Sequence, residues 1–486
     1  MEKSDEPIIK EDEEDVKETS SEIIIIKDKA RNIIYICLIL VSTFSACDGG
    51  ILPQQIDKVL LDFEVQDYST VGFFNSVDYI GRAVGGFIFA IILGKINRKM
   101  LFVATLIFKA ITLLIALITK NKIINIILRG LSGISQVFYT TYLPVWCDQY
   151  GKEKNRTMMV TLVQLGSPIG IILGYGLGVI CEKIKPYEDY HGWRLAFGIE
   201  GIILIICAFI IFSFENKYFS CNFILINDNQ GREEEKQDKN SNILSNFGKI
   251  LCNKLFFFTT LSNSVAFFGM SIIQYWGDNY MKKVINMQDS ERFIAVGILC
   301  LLGPMVGMVF GGLVSSKLGG YNKKKSMVLI IILIFIASII SEITALVNNK
   351  YGFIILSWLF LFFICATIPP ESGIIIASLE NNLRGDGFAL CNCILNLIGN
   401  FPAAYAFSIL SDLFIKSYNK DEVESFKYAW GISLGYNFIG FIFIIIAGIY
   451  RFKIKGDLSN DEIKNIDSTS FDKLSQSEES NDDIII

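Results

Sequence analysis

Apolar runs of roughly twenty residues, each closed by a short charged or turn-forming cluster, repeat from residue 31 to residue 450. A run of that length spans the hydrocarbon core of a bilayer as an α-helix. The pattern predicts about twelve such spans. They fall at 31–55, 69–94, 98–119, 123–149, 156–181, 193–214, 254–281, 292–318, 326–347, 351–378, 385–412 and 426–450. Pro369–Pro370 in the tenth and Pro402 in the eleventh predict kinks. Six spans precede a hydrophilic stretch and six follow it. The expected organisation is a cytosolic N-tail (1–30), a six-helix bundle (31–214), a cytosolic linker (215–253), a second six-helix bundle (254–450) and a cytosolic C-tail (451–486). The fold class expected is an all-α membrane protein.

Composition agrees with that pattern. Of 486 residues, 52% are hydrophobic and 38 are Phe; the mean hydropathy is +0.45. Charge gathers in both tails and in "NDNQGREEEKQDKNSN" (227–242), and the tails are expected to be disordered. The formal net charge of −5 argues against a nucleic-acid partner. The expected surroundings are membrane lipids, the expected ligand a small molecule or lipid, and the expected state a monomer.

Eleven cysteines are scattered without metal-type spacing, and Cys391 and Cys393 lie two apart on an apolar run. They predict buried structural thiols. His191 is the single histidine, which excludes His-based metal or triad chemistry. No Gly-x-x-x-x-Gly-Lys phosphate loop occurs, which argues against an ATP-driven pump. No cofactor is expected; a proton gradient is the candidate driving force. The acidic N-terminus lacks the basic region of a cleaved signal, so the first span is expected to direct insertion.

Orientation follows from Lys and Arg in the short loops. "GKINRKM" (94–100), "GKEKNR" (151–156) and "KLGGYNKKK" (317–325) are basic and fall on one side. The loop after the first span carries Asp62, Glu64 and Asp67 instead. Lys120 and Lys122 run mildly against the rule. The basic loops and both termini are expected in the cytosol, where the Asn155–Thr157 sequon would stay unmodified. The membrane is expected to be the plasma membrane or an endolysosomal or vacuolar one.

The halves also echo each other. "GGFIFAIILGKINRK" (85–99) ends the second span and "GGLVSSKLGGYNKKK" (311–325) ends the eighth. Corresponding placement in a six-plus-six chain favours internal duplication. Glycine-rich runs at "GRAVGG" (81–86), "GSPIGIILGYGLG" (166–178) and "GPMVGMVFGG" (303–312) predict closely packed helices.

Charged residues inside spans are few, and burying them in lipid is costly. Asp48 lies in the first span. Asp78 and Arg82 lie four apart in the second, on one helix face. Arg129, Ser132, Gln136 and Tyr139 recur at helical spacing in the fourth. Asp148 sits near the end of that span, Glu200 in the sixth, Asp278 in the seventh, Glu342 in the ninth, and Glu371 after the proline pair. Each should face the bundle interior. A substrate or proton pathway is one account of them; ion pairs that lock helices together is the other. The pathway candidates are Asp48, Asp78, Arg82, Arg129, Gln136, Tyr139, Glu200 and Tyr275. Phe138, Tyr142, Trp146 and Trp276 would line a cavity or form an interfacial belt.

In order, "CDGGILP" (47–53), "GKINRK" (94–99), "RGLSGISQVFYTTYLP" (129–144), "GSPIGIILGYGLG" (166–178) and "GWRLAF" (192–197) resemble the spinster-like branch of the major facilitator superfamily. "QYWGDNYM" (274–281) and "LRGDGFALCNCILNLIGNFPAAYAFSILSD" (383–412) agree. The resemblance covers roughly residues 31–450. It implies two six-helix bundles working by alternating access on lysophospholipids or sphingoid lipids. It also implies that Asp48 and Arg129 face the cavity and interact, with Asp48 titrating and Arg129 free to meet an anionic head group. The chain departs from the branch at three places. Gly49 follows Asp48 where an arginine is usual, Gln136 stands where an acid is usual, and the loop after the second span lacks an aspartate. Those losses leave uniport open as the alternative to proton coupling. Against the amphiphile carrier stand a permease for sugars, organic anions or drugs, and a non-transporting membrane sensor. An enzyme is not expected.

Overall fold

The computed structural model describes residues 28–92, 96–150, 156–184, 191–219, 243–380, 383–454 and 456–458. Most of both tails, most of the central linker, Asn155 and the side chain of Asp148 lie outside the described residues, as does their expected behaviour. Helices account for all the regular structure among the described residues.

A helix stands at each of the twelve expected positions. The first half comprises α1 (Asp28–Phe44), α2 (Asp48–Gln54), α3 (Ile56–Asp62), α4 (Tyr68–Ile92), α5 (Arg98–Ile118), α6 (Lys122–Tyr150), α7 (Arg156–Ile184) and α8 (Gly192–Phe212). The second comprises α9 (Ile243–Cys252), α10 (Lys254–Lys283), α11 (Asp289–Gly297), α12 (Gly303–Lys317), α13 (Lys324–Leu346), α14 (Lys350–Ala377), α15 (Arg384–Ile394), α16 (Phe401–Tyr418), α17 (Glu422–Gly435) and α18 (Asn437–Lys453). Among the described residues, ten stretches are long and apolar enough to cross a membrane. The long helices outside those ten are α4 and α6, the two that carry Asp78, Arg82, Arg129 and Gln136.

The first span is not one helix. The chain leaves the helical path at Ser45–Cys47 and re-enters it at Asp48. Gly170 and Gly174 of α7 press on this break: a Cβ at either would stand 1.9 Å from the carbonyl oxygen of Thr43 or Cys47. Only glycine lets α7 come so near. The same device joins α4 to α6. A Cβ on Gly133 would meet the Asp78 carbonyl oxygen at 2.0 Å, and one on Gly81 the Gly130 carbonyl oxygen at 1.9 Å. This close approach sets Asp78 and Arg82 against Arg129 and Gln136.

The expected proline kinks resolve differently. Helix α14 runs through Pro369 and Pro370 without a break. Pro370 frees the Ala366 carbonyl, and Gly311 of α12 packs directly against that oxygen. Before Pro402, residues Leu395–Asn400 widen into a π-helical turn, and Ile298–Leu302 do the same before Pro304. In both places the proline then occupies the first turn of the next α-helical segment.

The two halves meet along α4 and α16 and along α2 and α10. On the face carrying the acidic loops they are joined by charge. Lys282 pairs with Asp57, and Lys283 Nζ lies 3.4 Å from Asp57 Oδ1 and, within the second half, 2.5 Å from Glu422 Oε1. The Tyr68 hydroxyl touches both Lys283 and Glu422, and Lys416 pairs with Asp67. Tyr175 of α7 donates to Asp278 of α10 at 2.6 Å, and Arg292 holds the other carboxylate oxygen at 2.7 Å. Toward the basic-loop face, Phe87 of α4 meets Phe247 of α9 with ring centroids 5.7 Å apart.

Candidate functional site

Between the halves lies a cavity of about 200 Å³. The first half contributes Asp48, Asn75, Arg82, Arg129 and Gln136 to its wall; the second contributes Phe267, Ser271, Gln274, Tyr275 and Asn400. One wall therefore carries charge, and the other is neutral and mixed polar and apolar. The π-helical turn at Leu395–Asn400 places Asn400 on that neutral wall, donating to Asn396 and accepting from Ser271.

Behind the charged wall is a buried cluster. Asp48 pairs with Arg129, and its Oδ2 also lies 3.4 Å from Lys109 Nζ. Lys109 is fully buried, and three further oxygens surround its ammonium: the Ser45 carbonyl at 2.5 Å, Gln136 Oε1 at 3.3 Å and Glu200 Oε1 at 3.5 Å. Arg82 gives Nε to Asp78 Oδ2 at 2.7 Å and Nη2 to Gln136 Oε1 at 3.1 Å. It also lies over the Tyr79 ring, 4.8 Å from the centroid. Gln136 thus presents one amide oxygen to two cations. Three cations and three carboxylates interlock over α2, α4, α5, α6 and α8, so each buried charge has an opposite neighbour.

All eight expected pathway residues lie in or beside this arrangement. Asp48, Arg82, Arg129, Gln136 and Tyr275 line the cavity, with the Tyr275 hydroxyl donating to the Val71 carbonyl at 3.3 Å. Asp78 and Glu200 sit behind the wall, and Tyr139 is buried beside Lys109. The other span charges are elsewhere. Asp278 belongs to the seal with Tyr175 and Arg292. Glu371 is buried in the second half, accepting from Ser262 at 3.0 Å and Thr367 at 3.2 Å. Glu342 is half-buried near Gly435. Phe138, Tyr142 and Trp146 do not line the cavity. Phe138 and Tyr142 stack on each other, and Tyr142 and Trp146 donate to the carbonyls of Phe219 and Tyr218.

Asn75, Ser271, Gln274 and Asn400 of the cavity wall lie outside the expected set, and so does Lys109. Its signal is position: it stands in the middle of α5, at least ~13 Å from either helix end at 1.5 Å per residue. A lysine there cannot reach the membrane surface and must find acids inside. The receiving carbonyl, Ser45, is exposed by the break in the first span, as unwound backbone is in other transporters.

The Major Facilitator Superfamily sequence profile matches residues 34–404. The chain belongs to the Major Facilitator Superfamily. It is therefore a multi-pass membrane protein of transporter type. Within the superfamily its likeness is to the spinster-like branch. It is 23% identical over 420 residues to the sphingosine-1-phosphate transporter SPNS2 of Xenopus tropicalis, covering 80% of this chain and 75% of that one. Protein spinster of Drosophila melanogaster is 22% identical over 58% of this chain and 45% of its own. A bacterial homolog of the human lysosomal transporter Spinster, solved inward-facing and unoccupied, superposes with a TM-score of 0.74 at 14% identity, over 88% of this chain and 99% of that one. The nucleoside transporter NupG gives 0.61 at 13% identity over 87% of this chain and all of that one. These structures share the superfamily fold with this chain.

Proposed function

We propose that this protein is a twelve-span secondary transporter, working by alternating access, whose cargo is an amphiphile with an anionic or zwitterionic head. The observation that carries the proposal is the cavity itself. It lies between the halves, its wall is charged on one half and neutral on the other, and among the described residues the ion pairs between the halves stand on the acidic-loop face. A rocking motion of one half against the other would exchange that seal for one on the basic-loop face. The basic loops and both termini face the cytosol in this account, so the conformation is the one closed to the outside.

Arg82 and Arg129 suit a phosphate or carboxylate. Phe267, Met270 and Ile171, which line the same cavity, suit an acyl or sphingoid chain. The likeness to a sphingosine-1-phosphate transporter supports a lipid cargo. One observation favours a second reading, a permease for small organic anions. A volume of about 200 Å³ is below the several hundred Å³ usual for a ligand site and would hold a head group without its tail.

Uptake into proteoliposomes across a panel of lysophospholipids, sugars and organic anions, with and without a pH gradient, separates these readings. Saturable uptake of lysophospholipids supports the first. Uptake confined to short organic anions supports the second.

A further inference from the structure

The six charges behind the cavity wall are not equally held. Asp78 receives Nε and Nη2 of Arg82 on one oxygen, at 2.7 and 2.6 Å. Asp48 has Arg129 in contact, Lys109 at 3.4 Å, and the Gly49 N–H on Oδ1 at 3.0 Å. Glu200, fully buried, has a single cation at 3.5 Å, and neither of its oxygens has a hydrogen-bond partner among the described residues. That cation is shared: Lys109 donates to the Ser45 carbonyl and to Gln136. A buried carboxylate with so little compensation is the one most readily neutralised by a proton.

The groups facing Glu200 are few. Lys109 comes from α5, Asp48 from α2, Arg129 from α6, and Asp48 is flanked by the Cys47 thiol. Tyr139 of α6 is the remaining titratable neighbour. Helix α1 turns Cys37 toward Cys207, farther along α8. On α7, Tyr175 is bound to Asp278, and Cys181 and Glu182 lie at the Gly192 end. Lys109 is the only cation within ion-pair distance of Glu200 among the described residues.

We propose that Glu200 is the proton-accepting group of this transporter, and that its protonation is what readies the cavity for a cargo with one negative charge. With all six groups ionised, the three cations Arg82, Lys109 and Arg129 balance Asp48, Asp78 and Glu200. One proton added to a Glu200 oxygen gives a neutral carboxylic acid and leaves the cluster one positive charge in excess. Arg82 brings that charge to the cavity, because its side chain is 25% exposed while those of Arg129 and Lys109 are 4% and 0%. An anion against Arg82 restores neutrality. Proton and anion therefore favour each other's binding, and by reciprocity each raises the other's affinity by the same factor. Asp48, held by two cations, stays ionised throughout and positions Arg129 and Lys109. The inference rests on the transporter reading above and names its proton site and the charge of its cargo.

Two measurements on the full-length protein in detergent test it. Infrared difference spectra between pH 8 and pH 5 should include a buried carboxylic acid band that E200Q removes. Calorimetric binding of lysophosphatidylglycerol, a phosphodiester that does not titrate in this range, in buffers of different ionisation enthalpy should show about one proton taken up per anion by the wild type. The apparent affinity should rise up to about tenfold per unit fall in pH. Binding to E200Q should take up no proton and be insensitive to pH. Carboxylic acid bands identical in the wild type and E200Q overturn the assignment. Proton uptake that persists in E200Q overturns it too, as does equal, proton-free binding of zwitterionic lysophosphatidylcholine by the wild type. If the band is assigned to Glu200 but neither lipid nor a small organic anion such as lactate binds, the anion claim falls. If binding is proton-linked but no uptake into vesicles occurs, the transporter reading falls and the proton site stands.

Discussion

The carboxylate of Asp412, on α16 in the second half, accepts the backbone N–H groups of Tyr68 and Ser69 at 3.0 and 2.7 Å, capping α4 in the first half. A helix cap normally comes from the residue just before the helix. Here it comes from 344 positions away and ties the two halves on the sealed face. Removing a cap costs about 1 kcal/mol, or roughly fivefold in an equilibrium. D412A should therefore shift the population by about fivefold toward the state open on the acidic-loop face. Inter-half distance distributions from paired spin labels on that face read the shift. An unchanged distribution would mean that the cap does not help hold the seal.

Acid acts on the same face through Asp57. Burial raises the affinity of its carboxyl for a proton, but the Lys282 contact and the charges of Lys283 and Lys282 outweigh it and hold the group below its ordinary value. A carboxyl depressed in the closed state stabilises that state above its unperturbed value and loses the contribution as pH falls through the depressed one. The seal should therefore be insensitive to Asp57 between pH 5 and pH 8 and weaken below about pH 4. The D57N variant should lose that acid-side change, read by the same spin-label distances.

Lys109 should be indispensable to the fold as well as to the site. Removing one partner of a buried charge group leaves the others uncompensated, which costs about 3–5 kcal/mol. K109M should lower the melting temperature in detergent markedly, because Asp48 and Glu200 lose their shared cation. The double variant K109M/E200Q should recover part of that loss. Additive effects in the double-mutant cycle would show that the two residues are not coupled.

Backbone contact between α4 and α6 sets the geometry of the wall. G133A would place a Cβ 2.0 Å from the Asp78 carbonyl oxygen, so the helices must separate. Overpacking of this kind costs about 1–3 kcal/mol. The variant should transport poorly even where it folds, because Arg82 and Gln136 lose their register. Normal transport with lowered stability would contradict that role for the packing.

Much of this arrangement could be seen in the chain before folding. The positions of the long helices follow from apolar run length, and the Asp78–Arg82 pair from a spacing of four on a helix. The meeting of Asp48 with Arg129 came from the family resemblance, and the structure places them in contact. The break at Ser45–Cys47 could not be seen, because no proline marks it; it is associated with Gly170 and Gly174 of α7, more than a hundred positions away. The π-helical turns before Pro304 and Pro402 likewise depend on how each helix re-pairs its backbone after the proline. The ion pairs and cap of the seal join residues more than two hundred positions apart in most cases, with no local signal. Lys109 was visible as a lone lysine in an apolar run, but only its four oxygen neighbours reveal that it joins Asp48 to Glu200.

The most direct test of a carrier with a charged, anion-receiving wall is uptake of lysophosphatidylglycerol into proteoliposomes by the wild type and by R82Q. Arg82 lines the cavity and is the most exposed of the three cations, so its loss should cut uptake at least tenfold while the protein remains folded. Saturable uptake by the wild type, reduced in this way in R82Q, is the predicted result. Wild-type uptake no greater than in protein-free vesicles, or uptake unchanged in R82Q, would contradict the account.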